Sequence, residues 1–447
     1  MSYQRSLIAG GIALAAATVA AAQQPKRITF DDAIGIALEQ NVAVRQAKNT
    51  VALGQATVQQ QKNQRLPDLR LSVSGANSVG RNFSQSDGAI VNQQTQSLNT
   101  GISSSLTLFD GGKTTSAIRS AQSSEQAGEL DVTRARQTAV FTVASDYVAL
   151  ANQREQLRVQ QENLSAQQAQ ETLIKQLVDA GSRPISDLYQ QQAGVASAKL
   201  AVVQAKRAVE LANIDLIQAL QLEASGSYDF VTPELPEKTA TSTESLDALI
   251  SRALDRRSDL DASEARVGAA EQDIKAAKAS RLPTISLSGG YNTAYSSAAD
   301  LALGSQLDQR RGGSLGIGVS LPIFDRGATS IAAQKAQIAA DNARLDLDAN
   351  KKAIALEVRR AYLDQTSASE QLTSAEAQQA AATQALEMTQ QRYRAGAATL
   401  VEVTQARAQQ VQAASAVVAA RYNLLLQRTI MSYYTGELDP TTAKLGA

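Results

Sequence analysis

The chain of 447 residues contains no cysteine, no histidine and no tryptophan. Without cysteine there is no disulfide framework, no thiolate chemistry and no lipidated N-terminal cysteine. Without histidine, triads with a histidine base and histidine-based metal sites are excluded. Only a carboxylate-based enzyme would remain, so the chain is expected to have no catalytic residue, no metal site and no cofactor. Methionine is scarce as well, at 3 residues, which argues against a dedicated path for soft metals. Lys+Arg and Asp+Glu each number 43, and a net charge of zero gives no reason to expect a nucleic-acid partner. Aromatics make up 4% of the chain. A conventional globular core needs more large apolar side chains than that, whereas long helices with a small-residue seam do not.

Long apolar runs are absent beyond the N-terminus. There, Arg5 precedes an apolar stretch from Leu7 to Ala20, and Ala20-Ala21-Ala22 forms an A-x-A cleavage pattern. Residues 1–22 are therefore expected to be a secretory signal peptide, the stretch being short of the roughly 20 apolar residues a membrane helix needs.

What is present is a pair of strands with unlike faces. Between Gly312 and Gly327, Leu315, Ile317, Val319, Leu321 and Ile323 alternate with Ser314, Gly316, Gly318, Ser320 and Pro322. Side chains alternate with period two along a strand, so one face is apolar and the other small and polar. Ile102, Ser104, Leu106 and Leu108 alternate in the same way with Gly101, Ser103, Ser105 and Thr107. Such a strand suits a sheet with one buried face, or a membrane barrel with lipid outside and a lumen inside.

The whole chain repeats at an offset of about 215 residues, which marks an internal duplication. Leu66-Pro67 answers Leu282-Pro283, Phe109 answers Phe324, Tyr147 answers Tyr362, and Gly181 answers Gly396. The expected first repeat, 23–224, holds a helix, strands at 68–76 and 99–109, a long helix, a tip turn at 181–187 and a return helix. A linker covers 225–243. The second repeat, 244–434, has strands at 283–291 and 313–324 and a tip turn at 395–402, and 435–447 is a tail. Residues 30–65 are expected to form one helix, and 77–98 and 291–313 polar loops. The pairs Arg256-Arg257, Lys351-Lys352 and Arg359-Arg360 are expected on solvated helix faces. Each long helix would reach about 100 Å at 1.5 Å per residue. Four strands cannot close a barrel, so two or more copies would have to pool them.

Three motifs recur in both halves: Leu-Pro-x-Leu/Ile at a strand start, Phe-Asp-x-Gly at the strand-to-helix turn, and Gly181 or Gly396 followed six residues later by Asp187 or Glu402. This layout, from about residue 28 to 434, resembles the TolC-like outer membrane efflux proteins, in their unlipidated branch. The resemblance implies a mainly α fold with a transmembrane β-barrel: an internally duplicated homotrimer whose twelve strands form an outer-membrane barrel, continued by a periplasmic helical tunnel. It implies an exit duct of a tripartite efflux pump or type I secretion system, meeting a periplasmic adaptor and an inner-membrane transporter. The tips Gly181, Ser182, Gly396 and Ala397 would contact the adaptor. Ser186, Asp187, Tyr393 and Glu402 would form the periplasmic gate, with Tyr393 bonded to Asp187. Ala398 stands where the family has a gate arginine and Gln405 where it has a second acidic ring, so the gate is expected to be weaker and no second clamp is evident. A soluble periplasmic coiled-coil adaptor and a trimeric surface adhesin are the competing classes, but neither places matching strand pairs in both halves of one chain.

Overall fold

The structure is a computed structural model that describes residues 25–84, 88–231, 244–299 and 301–438. The expected signal peptide, linker residues 232–243 and tail residues 439–447 lie outside them.

Two sets of helices dominate. In the first half, α1 (Phe30–Gln40), α2 (Val42–Asn63), α3 (Lys113–Asp179) and α4 (Ile185–Ala219) have 11, 22, 67 and 35 residues. In the second, α5 (Leu246–Arg256), α6 (Ser258–Ala279), α8 (Ala328–Arg394) and α9 (Leu400–Tyr434) have the same four lengths. Four further strands, β2 (Arg70–Ser84), β3 (Ala89–Phe109), β5 (Thr284–Ser296) and β6 (Gly312–Ser320), and the short helix α7 (Leu303–Gln309) complete the two units. The short strands β1 (Lys26–Ile28) and β4 (Tyr228–Phe230) pair in parallel, so the segment expected to be a plain linker carries a strand.

The single helix expected over 30–65 is two. Asn41 leaves helical geometry at ψ 126°, and its side-chain oxygen accepts the N–H groups of Ala43 (2.9 Å) and Val44 (3.3 Å). An asparagine that satisfies the next helix's free donors makes a break locally favourable where no proline demands one. Arg257 makes the equivalent break between α5 and α6 with ψ 116°. It is not on a solvated face. At 5% exposure it donates to both Asp259 oxygens (3.0 and 2.6 Å) and to Glu357 on α8 (2.6 Å). Arg134 of α3 joins this network, lying 3.6 Å from Asp259 and 3.9 Å above the Tyr433 ring.

The strands form one antiparallel sheet in the order β2-β3-β5-β6. They are also longer or shorter than their sequence pattern predicts. Residues 77–98, expected to be a polar loop, are mostly the outer ends of β2 and β3, paired without interruption from Arg70↔Ser103 to Ser84↔Ala89. The second expected loop contains the end of β5 and α7, while 321–324 are not strand. Across the sheet, Leu71, Ile102 and Tyr291 share a row, as do Leu106, Leu287 and Ile317; the intervening rows hold Ser103, Gly290 and Ser314, then Ser105, Ser288 and Gly316. One face is thus apolar and exposed, Leu315 reaching 80%. A bulge between Thr107 and Phe109 shifts the register so that Phe109 opposes Ile285.

Below the sheet, the Asp110 and Asp325 side chains launch α3 and α8. Asp110 accepts the N–H of Gly112 (3.0 Å) and Thr114 (2.7 Å); Asp325 accepts those of Gly327 (2.9 Å) and Thr329 (2.8 Å). Further down, Ile28, Phe30, Tyr147, Leu216 and Phe230 form the largest buried cluster, with the Tyr147 hydroxyl donating to the carbonyl of Ile28 at 3.1 Å. Leu438, in the expected tail, is buried in the same cluster.

Gly111 has φ 70°, and a Cβ there would lie 2.7 Å from Leu282 Cβ and 2.8 Å from Ala279 O. Gly112 also has positive φ but nothing within 4 Å. Gly111→Ala should therefore carry backbone strain of about 1–2 kcal/mol plus overpacking of about 1–3 kcal/mol, and Gly112→Ala the strain alone. Comparing the thermal unfolding midpoints of the two variants checks this, with Gly111→Ala expected to be the lower.

The helical mouth as a candidate functional site

At the end remote from the sheet, each long helix turns into its return helix through a glycine in left-handed conformation. Gly181 has φ 70° and Gly396 φ 78°. Gly181 N–H donates to Val178 O (2.9 Å) and Ser182 N–H to Leu177 O (2.8 Å); Gly396 and Ala397 repeat the pattern onto Tyr393 O (3.0 Å) and Arg392 O (2.8 Å). These paired bonds are Schellman closures, which need glycine because a Cβ is strained at this φ. Gly181, Ser182, Gly396 and Ala397 are all exposed.

Asp187 and Glu402 occupy the same place, the third residue of α4 and of α9, yet they do different things. α9 starts at Thr399, whose hydroxyl accepts the Glu402 N–H (3.3 Å). Glu402 in return accepts the Thr399 N–H and hydroxyl, both at 3.1 Å. This reciprocal capping box uses up one carboxylate oxygen; the other lies 3.6 Å from Arg392. α4 starts at Pro184, which makes no side-chain cap. Asp187 is left to reach across to the second turn, where it accepts the Tyr393 hydroxyl at 3.4 Å. Ser186 is exposed, and among the described residues no hydrogen bond joins it to the other three.

Tyr393 is 1% exposed and packs with Ile174, Ala398, Leu400 and Val403, against which Val178 and Leu188 also lie. Burial, foremost, pushes its phenol above the ordinary value. Arg183, absent from the sequence-derived site, lies with its guanidinium 4.3 Å above the Tyr393 ring and donates to Tyr393 O at 2.7 Å. Its signal in the sequence was its position: two residues after Gly181, as Ala398 is two after Gly396. A second contact to Tyr393 therefore comes from the first turn, at Arg183, rather than from the second.

The backbone N–H of Thr399, and then its hydroxyl, hold the Glu402 carboxyl below its ordinary range. A carboxylate with a depressed folded pKa stabilises the fold above its unfolded pKa, and that contribution is lost as pH falls through the folded pKa. Thr399→Ala should cost about 1 kcal/mol of stability at neutral pH. The gap between the thermal midpoints of wild type and variant should narrow on acidification through the carboxylate range.

Among the described residues no group of His, Cys, Asp and Glu side chains is arranged to hold a metal ion, and no helix is long and apolar enough to cross a membrane, which says nothing of the strands. The arrangement is that of a strand layer joined to long helices that converge on two braced turns. Similar proteins share it. The chain is 24% identical to the outer membrane efflux protein BepC of Brucella suis, over 77% of this chain and 73% of that one. It is 27% identical to the pyoverdine export outer membrane protein OpmQ of Pseudomonas aeruginosa, over 85% and 77%. The crystal structure of CusC superposes with a TM-score of 0.79 at 20% identity, covering 91% of this chain and 92% of that one. The family model for outer membrane efflux protein matches residues 33–221 and 249–437, which is most of both halves, and the chain belongs to this family of outer-membrane channel proteins.

Proposed function

We propose that three copies of this chain form the exit duct of an efflux or secretion assembly, passing cargo outward without catalysis. The observation that carries the reading is a set of apolar surfaces left uncovered on one copy, several of which are covered at the equivalent place in the other repeat. On α9, Val418 and Thr429 are both 9% exposed; the equivalent residues on α4, Val203 and Ile214, are 62% and 55% exposed. On α8, Ile331, Ile338, Leu345, Leu356 and Leu363 are exposed at spacings of seven and eleven residues, which return to one helix face. In the first repeat, Phe141 and Val148, equivalent to Leu356 and Leu363, lie against the chain's own core. A second copy that packed α4 against α8, as α9 packs against α3 within one chain, would cover these residues. It would also pair the free edge of β6 with that of β2.

The number of copies is the one the family resemblance implies, and the size of the barrel supports it. Eight strands enclose an interior just wide enough for side chains to fill it. Two copies would therefore build a plugged barrel, whereas three supply twelve strands and open a lumen. The inward rows of Ser, Gly and Thr keep that lumen wide and wet, and the outward Leu, Ile and Val suit lipid. The helices would continue the lumen into the periplasm, with the tips Gly181, Ser182, Gly396 and Ala397 facing a periplasmic adaptor bound to an inner-membrane transporter that supplies the energy. Ser186, Asp187, Tyr393 and Glu402 would line or brace the mouth, three Glu402 carboxylates drawing cations to a narrow opening.

Planar-bilayer recording on the purified oligomer tests the duct, and one strand position tests its orientation. Val319→Arg places a charge among lipid tails and should cost roughly 2–4 kcal/mol near the midplane, abolishing insertion. Gly318→Ser, on the lumen side, meets only the Ser286 hydroxyl at 3.3 Å and should insert and conduct. Wild type that inserts as an oligomer yet never conducts would overturn the duct; normal insertion of Val319→Arg would overturn the lipid-facing assignment.

A further inference from the structure

We propose that Arg183 is the principal tie between the two tip turns of one protomer, the latch by which the mouth is held narrow; the part about the mouth rests on the duct reading. Arg183 belongs to the turn between α3 and α4, and Tyr393 to the last turn of α8, so whatever joins them joins the two helical hairpins at their far ends. The guanidinium makes two contacts at once. It donates to Tyr393 O at 2.7 Å, the carbonyl that also accepts the Gly396 N–H at 3.0 Å, and its Cζ lies over the Tyr393 ring, 4.3 Å from the centroid. One side chain thus grips both the ring and the backbone that closes the second turn.

The direct alternative is the Tyr393 hydroxyl on Asp187, and at 3.4 Å it is near the end of hydrogen-bonding range. A 2.7 Å charge-assisted bond with a stacked cation outweighs it. The ring cannot yield alone, since it is 1% exposed and held by Ile174, Leu400 and Val403. The tie also has one direction. The equivalent residue in the second turn is Ala398, 7% exposed and part of the packed cluster, which has no side chain to send back. Parting the two hairpins breaks both Arg183 contacts, whereas Tyr393→Phe leaves both in place.

Two measurements on the full-length oligomer test this. The chain has no cysteine, so Ser182→Cys and Ala397→Cys, both at exposed sites, place spin labels on the two turns. Adding Arg183→Ala should broaden and lengthen the inter-turn distance distribution, Arg183→Lys should recover part of it because lysine keeps the charge but not the planar stack, and Tyr393→Phe should match wild type. In planar bilayers, Arg183→Ala should shift the ratio of closed to open states by roughly tenfold or more, with the heat resistance of the oligomer unchanged. An unchanged distance distribution in Arg183→Ala overturns the latch whatever the conductance. So does a broad distribution in Tyr393→Phe beside a narrow one in Arg183→Ala, which would make the phenol the tie. A distribution that broadens as expected in channels that never conduct supports the tie and removes the duct.

Discussion

A sheet edge carries a row of backbone donors and acceptors, and in hydrocarbon each one left unpaired costs several kcal/mol. β2 and β6 are such edges, because the four-stranded sheet begins with one and ends with the other. For a family of outer-membrane proteins this constraint governs nearly everything else. A single copy cannot satisfy it; in the proposed assembly closure comes from further copies, and the helices beneath would then meet around the same axis. In that assembly the small residues would face inward, since a closed ring of large side chains would fill the space that the strands enclose. Loops and tips stay outside the hydrocarbon, where water can satisfy them.

In the proposed assembly the duplication gives each copy two kinds of seam, one inside the chain and one at its border, with matched elements on either side. The chain treats them differently. Inside, Gly111 lets the first strand-to-helix turn press against Ala279 and Leu282. The equivalent residue at the border is Arg326, which takes φ 55° despite the strain this imposes on a non-glycine residue. A seam formed within one chain can be packed to contact at the cost of a glycine. In the proposed assembly the equivalent turn borders another copy and carries a side chain instead. The buried Arg257 network belongs to the inner seam too. Its counterpart at Asn41 carries no charge and caps α2 instead.

Much of this was legible in the sequence. Prolines at Pro67 and Pro283, glycines at the tips and period-two alternation marked the element order, because each acts through the local backbone. The sequence failed where the deciding partner is remote. Residues 77–98 hold only a few scattered apolar side chains among many polar ones, so it is the pairing of β2 with β3 that makes most of them strand. Arg257 sits beside a second arginine and looks solvated, yet its burial is set by Glu357, far along the chain on α8. Arg183 sits in a turn next to Pro184, and its contacts depend on a ring that arrives from the other repeat.

The two tip turns show how a duplicated fold acquires a contact that neither repeat has alone. Their backbones are the same: a left-handed glycine, then a return helix whose third residue is acidic. What differs is the residue that starts the helix. Thr399 offers a hydroxyl, so Glu402 folds back and braces its own helix. Pro184 offers none, and its ring fixes the entry angle without binding a side chain. Asp187 therefore faces outward to its neighbour, and Arg183 just before the proline does the same. One turn is closed upon itself and the other is open to be used. A contact between them is possible only because the repeats have diverged at these positions, and symmetry kept at both turns would have left each bracing only itself.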